Sequence, residues 1–208
     1  MLLPLAHKSV MKKSVAELQK DAQSAFDTLK YPLVAYSLMA CLTVYSFGGW
    51  KWSWFSYHPM SMLLGFVALA GNATLIKKIG GKDNTNLHGY LMSVATVLAG
   101  FGFYVIYSNK NKMHKPHFTS LHGKLGLVIM AGYTGLALFG AIALRPDTGI
   151  FRTNNMLRSA HKYAGKAMTA LAWVSCVLGV MRMGKSEEYW TLATFSVPLL
   201  IFGLYVLL

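Results

Sequence analysis

The sequence predicts an all-α integral membrane protein, a bundle of six transmembrane helices, and three observations carry that reading. Of 208 residues, 54% are hydrophobic and 13% charged, and the mean hydropathy is positive, a balance that soluble globular domains rarely reach. Six stretches approach the roughly 20 apolar residues that cross a hydrocarbon core about 30 Å thick. The connections left between them are short, so any chemistry must reside in the bundle or at its two rims.

Residues 1–30 read as a cytosolic or interfacial N-terminal segment, and residues 31–208 as the six-helix domain. The apolar run Met1 to Ala6 is too short for a secretory signal, and lysines follow it. Ser14 and Glu17 fit a capping box. Val15, Leu18, Ala22, Phe26 and Leu29 recur at helical spacing opposite Lys20 and Asp21, the pattern of an interfacial helix; a mobile tail is the alternative. The first span covers 31–48 and the second 55–76, with Trp50, Trp52, Trp54 and Tyr57 as an aromatic belt at the outer end of the second. The third covers 87–107, the fourth 121–144, the fifth 160–181 and the sixth 190–208, where Tyr189 and Trp190 mark the same belt level. Cys41 and Cys176 fall inside spans, where a thiol behaves as a small apolar group.

Six spans place both termini on one face. Thirteen Lys and Arg residues fall on that face and seven on the other, so the positive-inside rule assigns the termini to the cytosol. The net charge of +13 is then the ordinary flank of membrane spans, facing anionic lipid, and calls for no nucleic-acid partner.

Four of the seven histidines open spans two to five: His58 in Tyr57-His58-Pro59-Met60, His88 in Leu87-His88-Gly89-Tyr90, His122 in Leu121-His122-Gly123-Lys124, and His161 in Ala160-His161-Lys162-Tyr163. An imidazole within a membrane is a functional candidate by default. Spans two and four enter from the outer face, so His58 and His122 share one depth; spans three and five enter from the cytosol, which pairs His88 with His161. Zinc wants three or four ligands, and neither level supplies a carboxylate or cysteine. A proton relay alternates His with Asp or Glu, and none lies within the spans. Two neutral imidazoles do suffice for the axial positions of a haem iron, and with no CxxCH motif that haem is non-covalent, of b type. A six-coordinate iron carries electrons and leaves no open site for oxygen. The glycines on these helices, among them Gly65, Gly102, Gly140 and Gly179, let a flat macrocycle approach or pack helices tightly. Structural histidines hydrogen-bonded between helices are the other reading.

This pattern resembles the cytochrome b561 family, six-span dihaem proteins that move electrons from cytosolic ascorbate across a membrane. The resemblance covers nearly the whole chain after residue 30. It rests on the four histidines at separations of 30, 34 and 39 residues (58, 88, 122, 161), on His58-Pro59, and on His117-Phe118-Thr119-Ser120-Leu121-His122. It implies two haem b groups, an outer one on His58 and His122 and a cytosolic one on His88 and His161. Ala73-Thr74-Leu75-Ile76-Lys77-Lys78 and Gly123-Lys124 depart from the ascorbate-reducing members and look more like the branch called cytochrome b561 domain-containing proteins.

An anionic donor such as ascorbate calls for a cationic dock beside the inner haem. Lys78, Lys82 and Arg152 are the candidates, with Lys77, Arg158 and Lys162 nearby; Arg152 lies nine residues before His161, where the resembling family places a substrate-binding arginine. On the outer face His117 and Lys115, with Lys110, Lys112 and His114, form a rim for the acceptor, a ferric chelate or monodehydroascorbate; a solvated basic loop is the alternative. Other expected partners are the lipid bilayer and, as one arrangement the bundle permits, a second copy in a homodimer. The expected location is an endomembrane, endoplasmic reticulum or vesicle, ahead of the plasma membrane. The competing functions are a transporter or scaffold with structural histidines, and a quinol-oxidising cytochrome subunit of a larger complex.

Overall fold

A computed structural model of the chain describes residues 13–183 and 189–207. Met1 to Ala6, Lys8, Lys12, Lys185 and Leu208, and the side chains of Tyr189 and Trp190, lie outside the described residues.

Helix α1 spans Val15–Phe47. Its start is the expected capping box: the Ser14 hydroxyl accepts from the Glu17 amide at 3.2 Å, and the Glu17 carboxylate accepts from the Ser14 amide at 2.7 Å. These bonds hold the Glu17 carboxyl below its usual range. The helix then continues without a break through residue 30 to Phe47. Burial explains the continuity, since Leu29 and Leu33 straddle that point and both sit in the core. Pro32 removes one backbone donor, and α1 passes through it.

Helix α2 spans Trp54–Ile79. It opens with a 3-10 turn, Trp54–Ser56, and changes to a π-helical stretch at Leu63–Leu69 before resuming as α-helix over Ala70–Ile79. Two contacts hold that stretch. Gly65 lies so close to the next helix that a Cβ there would stand 3.1 Å from the Ala95 carbonyl oxygen, and the Trp173 indole donates to the Phe66 carbonyl at 2.9 Å. Gly80 and Gly81 end α2 at φ of +82° and +86°, a region that residues with a Cβ seldom adopt.

Helix α3 spans Lys82–Lys112, α4 Leu121–Ala143, α5 Asn155–Met183 and α6 Tyr189–Leu207. The Ser120 hydroxyl caps α4 by accepting from Gly123, and the Asn154 side chain accepts from Leu157 at the start of α5, each satisfying a donor with no partner inside the helix. Consecutive helices pack as neighbours, and α1 also meets α6. Four helices, α2 to α5, are long and apolar enough to cross a membrane. Over their described residues α1 and α6 do not reach that measure, the apolar part of α6, Ala193–Leu207, being shorter.

The core centre is aromatic. The rings of Phe66 on α2 and Tyr133 on α4 meet edge-on at 4.8 Å. The Thr169 hydroxyl on α5 donates to the Gly165 carbonyl at 2.9 Å, so the 2.8 Å bond between Tyr133 and Thr169 has the tyrosine as donor.

The α4–α5 connection is strapped to one face of α3. Lys82 pairs with Asp147 at 2.5 Å, and Arg145 donates to the Tyr90 hydroxyl at 2.9 Å while lying over that ring. Lys82 and Asn86 hold the Asp147 carboxyl below its usual range. A carboxyl depressed on folding contributes stability above its unfolded pKa and loses it as pH falls through the folded value. Both partners are well solvated, so the contribution is small. Lys82→Ala is expected to leave thermal unfolding nearly unchanged at neutral pH, with the remaining difference from the parent vanishing on acidification.

Candidate functional site

His58 and His122 stand close together at one end of the bundle, and His88 and His161 line a single cavity at the other. At the end here labelled outer, after the charge-based expectation, His58 on α2 and His122 on α4 stand with ring centres 6.3 Å apart. Nδ1 of His58 bonds the Gly102 carbonyl on α3 at 2.9 Å, and Nδ1 of His122 bonds the Ser175 carbonyl on α5 at 3.0 Å. A carbonyl only accepts, so in each ring Nδ1 carries the hydrogen and Nε2 keeps its lone pair. Both rings line a cavity of about 390 Å³ walled by Phe55, Met62, Phe103 and Phe118 among others.

At the inner end His88 on α3 and His161 on α5 line a larger cavity of about 780 Å³. Nδ1 of His88 donates to the Ala73 carbonyl on α2 at 2.9 Å. Nδ1 of His161 is buried without a hydrogen-bond partner. The cavity is lined by Lys77, Lys78, Arg145, Arg158, Lys162 and Lys166 and by no carboxylate, a field that favours anionic groups. Both volumes lie in the range of about 300–1,000 Å³ typical of cofactor and small-molecule sites.

These residues fit a haem held between two imidazoles. A metal taking one nitrogen from each ring at about 2.0–2.1 Å, an ordinary imidazole–metal bond length, would set the ring centres about 6 Å apart, close to the spacing of His58 and His122. Free Nε2 atoms and apolar walls meet the remaining needs. Among the described residues no group of three or more His, Cys, Asp and Glu side chains gathers as a metal site, so a zinc-type cluster is not formed there.

The expected substrate residues divide. Lys78 lines the inner cavity, and its ammonium donates to the Tyr205 carbonyl on α6 at 2.6 Å. Lys82 is engaged by Asp147, and neither it nor Arg152 belongs to the lining. The Arg152 carbonyl accepts from Arg158, which does line the cavity. On the outer side His117 lines the cavity, stacked on Tyr107 at 4.1 Å and donating from Nε2 to the Asn111 side chain at 2.7 Å, while Lys115 stands outside the lining. Sequence reasoning gave no site role to Arg145, Lys166, Tyr107 or Arg182, all of which line the cavities. A signal existed for Lys166, which follows Arg158 and Lys162 by eight and four residues and so shares their helix face. Nothing in the spacing pointed to Tyr107.

The chain is similar to several known proteins. The transmembrane ascorbate-dependent reductase of Bos taurus is 28% identical over 163 residues, 75% of this chain and 64% of that protein. The lysosomal membrane ascorbate-dependent ferrireductase of Danio rerio is 24% identical over 132 residues, 61% of this chain and 53% of that one. A probable ascorbate-specific transmembrane electron transporter of Oryza sativa subsp. japonica is 34% identical over 93 residues, 43% of this chain and 39% of that one. The chain thus spans less than two thirds of the length of these relatives. They are ascorbate-linked proteins, whereas the departures at Lys77-Lys78 and Gly123-Lys124 had pointed toward the domain-containing branch. The model of the eukaryotic cytochrome b561 family matches residues 57–186, from the residue before the first of the four histidines to beyond the last, and the chain belongs to that family.

Proposed function

We propose that the chain is a six-span transmembrane one-electron oxidoreductase holding two non-covalent haem b groups, with His58 and His122 as ligands of the outer one and His88 and His161 of the inner. The observation that carries the proposal is that His58 and His122 face one another and His88 and His161 share a cavity, three of the four with Nδ1 tied to a backbone carbonyl of a neighbouring helix. Bound there, each haem would supply a reversible one-electron iron couple. The chain's own residues do the rest. The carbonyls of Gly102, Ala73 and Ser175 fix the tautomer and hold the rings in place. The apolar walls exclude water. The inner cations receive an anionic reductant, for which ascorbate is the best candidate given the names of the relatives. The outer cavity, with Lys110, His117 and Arg182 in its lining, faces the acceptor, a ferric chelate or monodehydroascorbate. The setting is an endomembrane with both termini in the cytosol.

Pyridine haemochrome assay of purified protein is expected to give two haem b per chain, and the visible spectrum a six-coordinate low-spin form before and after reduction. A folded, colourless protein would return the histidines to a structural role and favour a transporter or scaffold.

The donor dock is proposed to comprise Lys78 within the cavity and Arg152 and Lys82 beside it. Lys78→Ala and Arg152→Ala are expected to raise the ascorbate concentration for half-maximal reduction rate by roughly tenfold, about 1.4 kcal/mol, with both haems retained. Lys82→Ala should do less, since Asp147 already engages its charge. Stopped-flow reduction at rising ionic strength should slow the parent, because exposed charges are screened beyond about 10 Å at 0.1 M salt. An Arg152→Ala variant with unchanged concentration dependence would remove that residue from the dock.

A further inference from the structure

In helices α4 and α5 each histidine is followed, 18 residues later, by a glycine: His122 by Gly140 and His161 by Gly179. Eighteen residues are five turns at 3.6 residues per turn, so both members of each couple lie on one face, about 27 Å apart along the axis. The two helices run antiparallel, and their couples interlock. A Cβ built on Gly179 would stand 3.1 Å from Cε1 of His122 and 3.6 Å from both ring nitrogens. A Cβ on Gly140 would stand 3.1 Å from Cε1 of His161 and 3.5 Å from its Nε2. Each helix offers its histidine at one end and a recess for the neighbour's histidine at the other. Helices α2 and α3 repeat the exchange through backbone carbonyls, since His58 bonds Gly102 on α3 and His88 bonds Ala73 on α2.

We infer that Gly179 and Gly140 are positioning residues for haem ligation, Gly179 for the outer haem through His122 and Gly140 for the inner through His161. The inference rests on the haem reading above. An imidazole coordinates along its nitrogen lone pair, so the ring must be able to turn about its own bonds until Nε2 points at the metal. The glycine recess lets the ring lie flat against the helix opposite. A methyl group at about 3.1 Å is closer than the ordinary carbon contact of about 3.5–4.0 Å, and the ring must tilt or withdraw. At the inner end this matters more, because Nδ1 of His161 has no hydrogen bond to steer the ring, which lies against the Gly140 recess and beside Phe139.

Other glycines of the same bundle provide the control. A Cβ on Gly100 or Gly135 meets nothing within 4 Å, and neither residue lines a cavity.

The experiment compares Gly179→Ala, Gly140→Ala, Gly100→Ala and Gly135→Ala in the full chain, reading haem per chain, low-spin electron paramagnetic resonance and midpoint potentials. For Gly179→Ala the expected result is loss of the outer haem, two falling to one, or a shift in its resonance and potential, with the inner haem unaltered. Gly140→Ala should give the mirror image, and Gly100→Ala and Gly135→Ala should match the parent. The undisturbed haem in each variant reports that the bundle has folded. As a second measurement independent of haem electronics, Gly179→Ala introduced on top of His122→Ala should not lower the thermal unfolding midpoint of His122→Ala, because the ring it would strike is gone and alanine favours the helix over glycine. Two haems with parental resonance and potentials in both glycine variants would overturn the inference, as would either variant disturbing the haem at the opposite end or Gly179→Ala destabilising the His122→Ala background. A parent protein without haem would instead overturn the reading on which the inference rests.

Discussion

His122→Ala is expected to reduce haem content from two per chain to one and to abolish electron transfer across the membrane. Removing this imidazole leaves His58 alone at the outer end, and the 6.3 Å separation of the two rings leaves space for a metal but no second ligand. His58→Ala should give the same result. The haem between His88 and His161 should remain, still reducible by the donor, because its ligands line a different cavity with no lining residue in common. His88→Ala or His161→Ala should do the converse, so that the donor no longer reduces the remaining outer haem. Optical spectra and haem assay of the four variants, followed by electron delivery to an impermeant acceptor in proteoliposomes, check the set. Variants of His58 and His88 that removed the same spectral signal would contradict the pairing.

Trp173→Ala is expected to lower the stability of the bundle by about 3–5 kcal/mol, the usual loss for truncating a large buried aromatic. The side chain is 4% exposed, packs toward Gly71 on α2 and Gly203 on α6, and donates to the Phe66 carbonyl in the π-helical stretch. Trp173→Phe keeps most of the volume and removes only the indole donor. It leaves a buried carbonyl without that partner, which costs about 1–3 kcal/mol. Thermal unfolding in detergent should place the variants in the order parent, Phe, Ala. If Trp173→Phe matched the parent, the Phe66 carbonyl would have another partner and the indole would contribute by packing alone.

The proximity of His58 and His122 was legible because depth in a membrane follows from span order: once spans two and four enter from one face, the two must share a level. The Ser14–Glu17 cap was equally legible, being local in sequence. The unbroken passage of α1 through residue 30 was not, since it depends on Leu29 and Leu33 packing against α2, a tertiary contact that overrides a proline and a run of polar residues. The π-helical stretch Leu63–Leu69 left no periodic signal either; it is stabilised by Gly65 against Ala95 and by an indole 107 residues away in the chain. For the cationic cavity, the charges could be counted from the sequence but not sorted. The strap that ties Asp147 to Lys82 keeps one expected cation out of the cavity lining, and the spacing on α5 brings Lys166 in.

The aromatic centre of the bundle has an electrical consequence. Phe66 and Tyr133 meet between the two cavities, and the hydroxyls beside them form a short chain from Tyr133 to Thr169 that ends on the Gly165 carbonyl. A hydrogen-bond chain that terminates on a carbonyl offers no onward route for a proton. On the proposed path this hydroxyl chain carries no proton alongside the electron, and an electron that crosses alone displaces net negative charge along much of the membrane normal. A displaced elementary charge couples to the transmembrane potential with about 2.3 kcal/mol per 100 mV. The protein would then act as a small current source, its outward electron flow favoured by a cytosol-negative potential and restrained by the reverse, with voltage setting its rate alongside the concentrations of donor and acceptor.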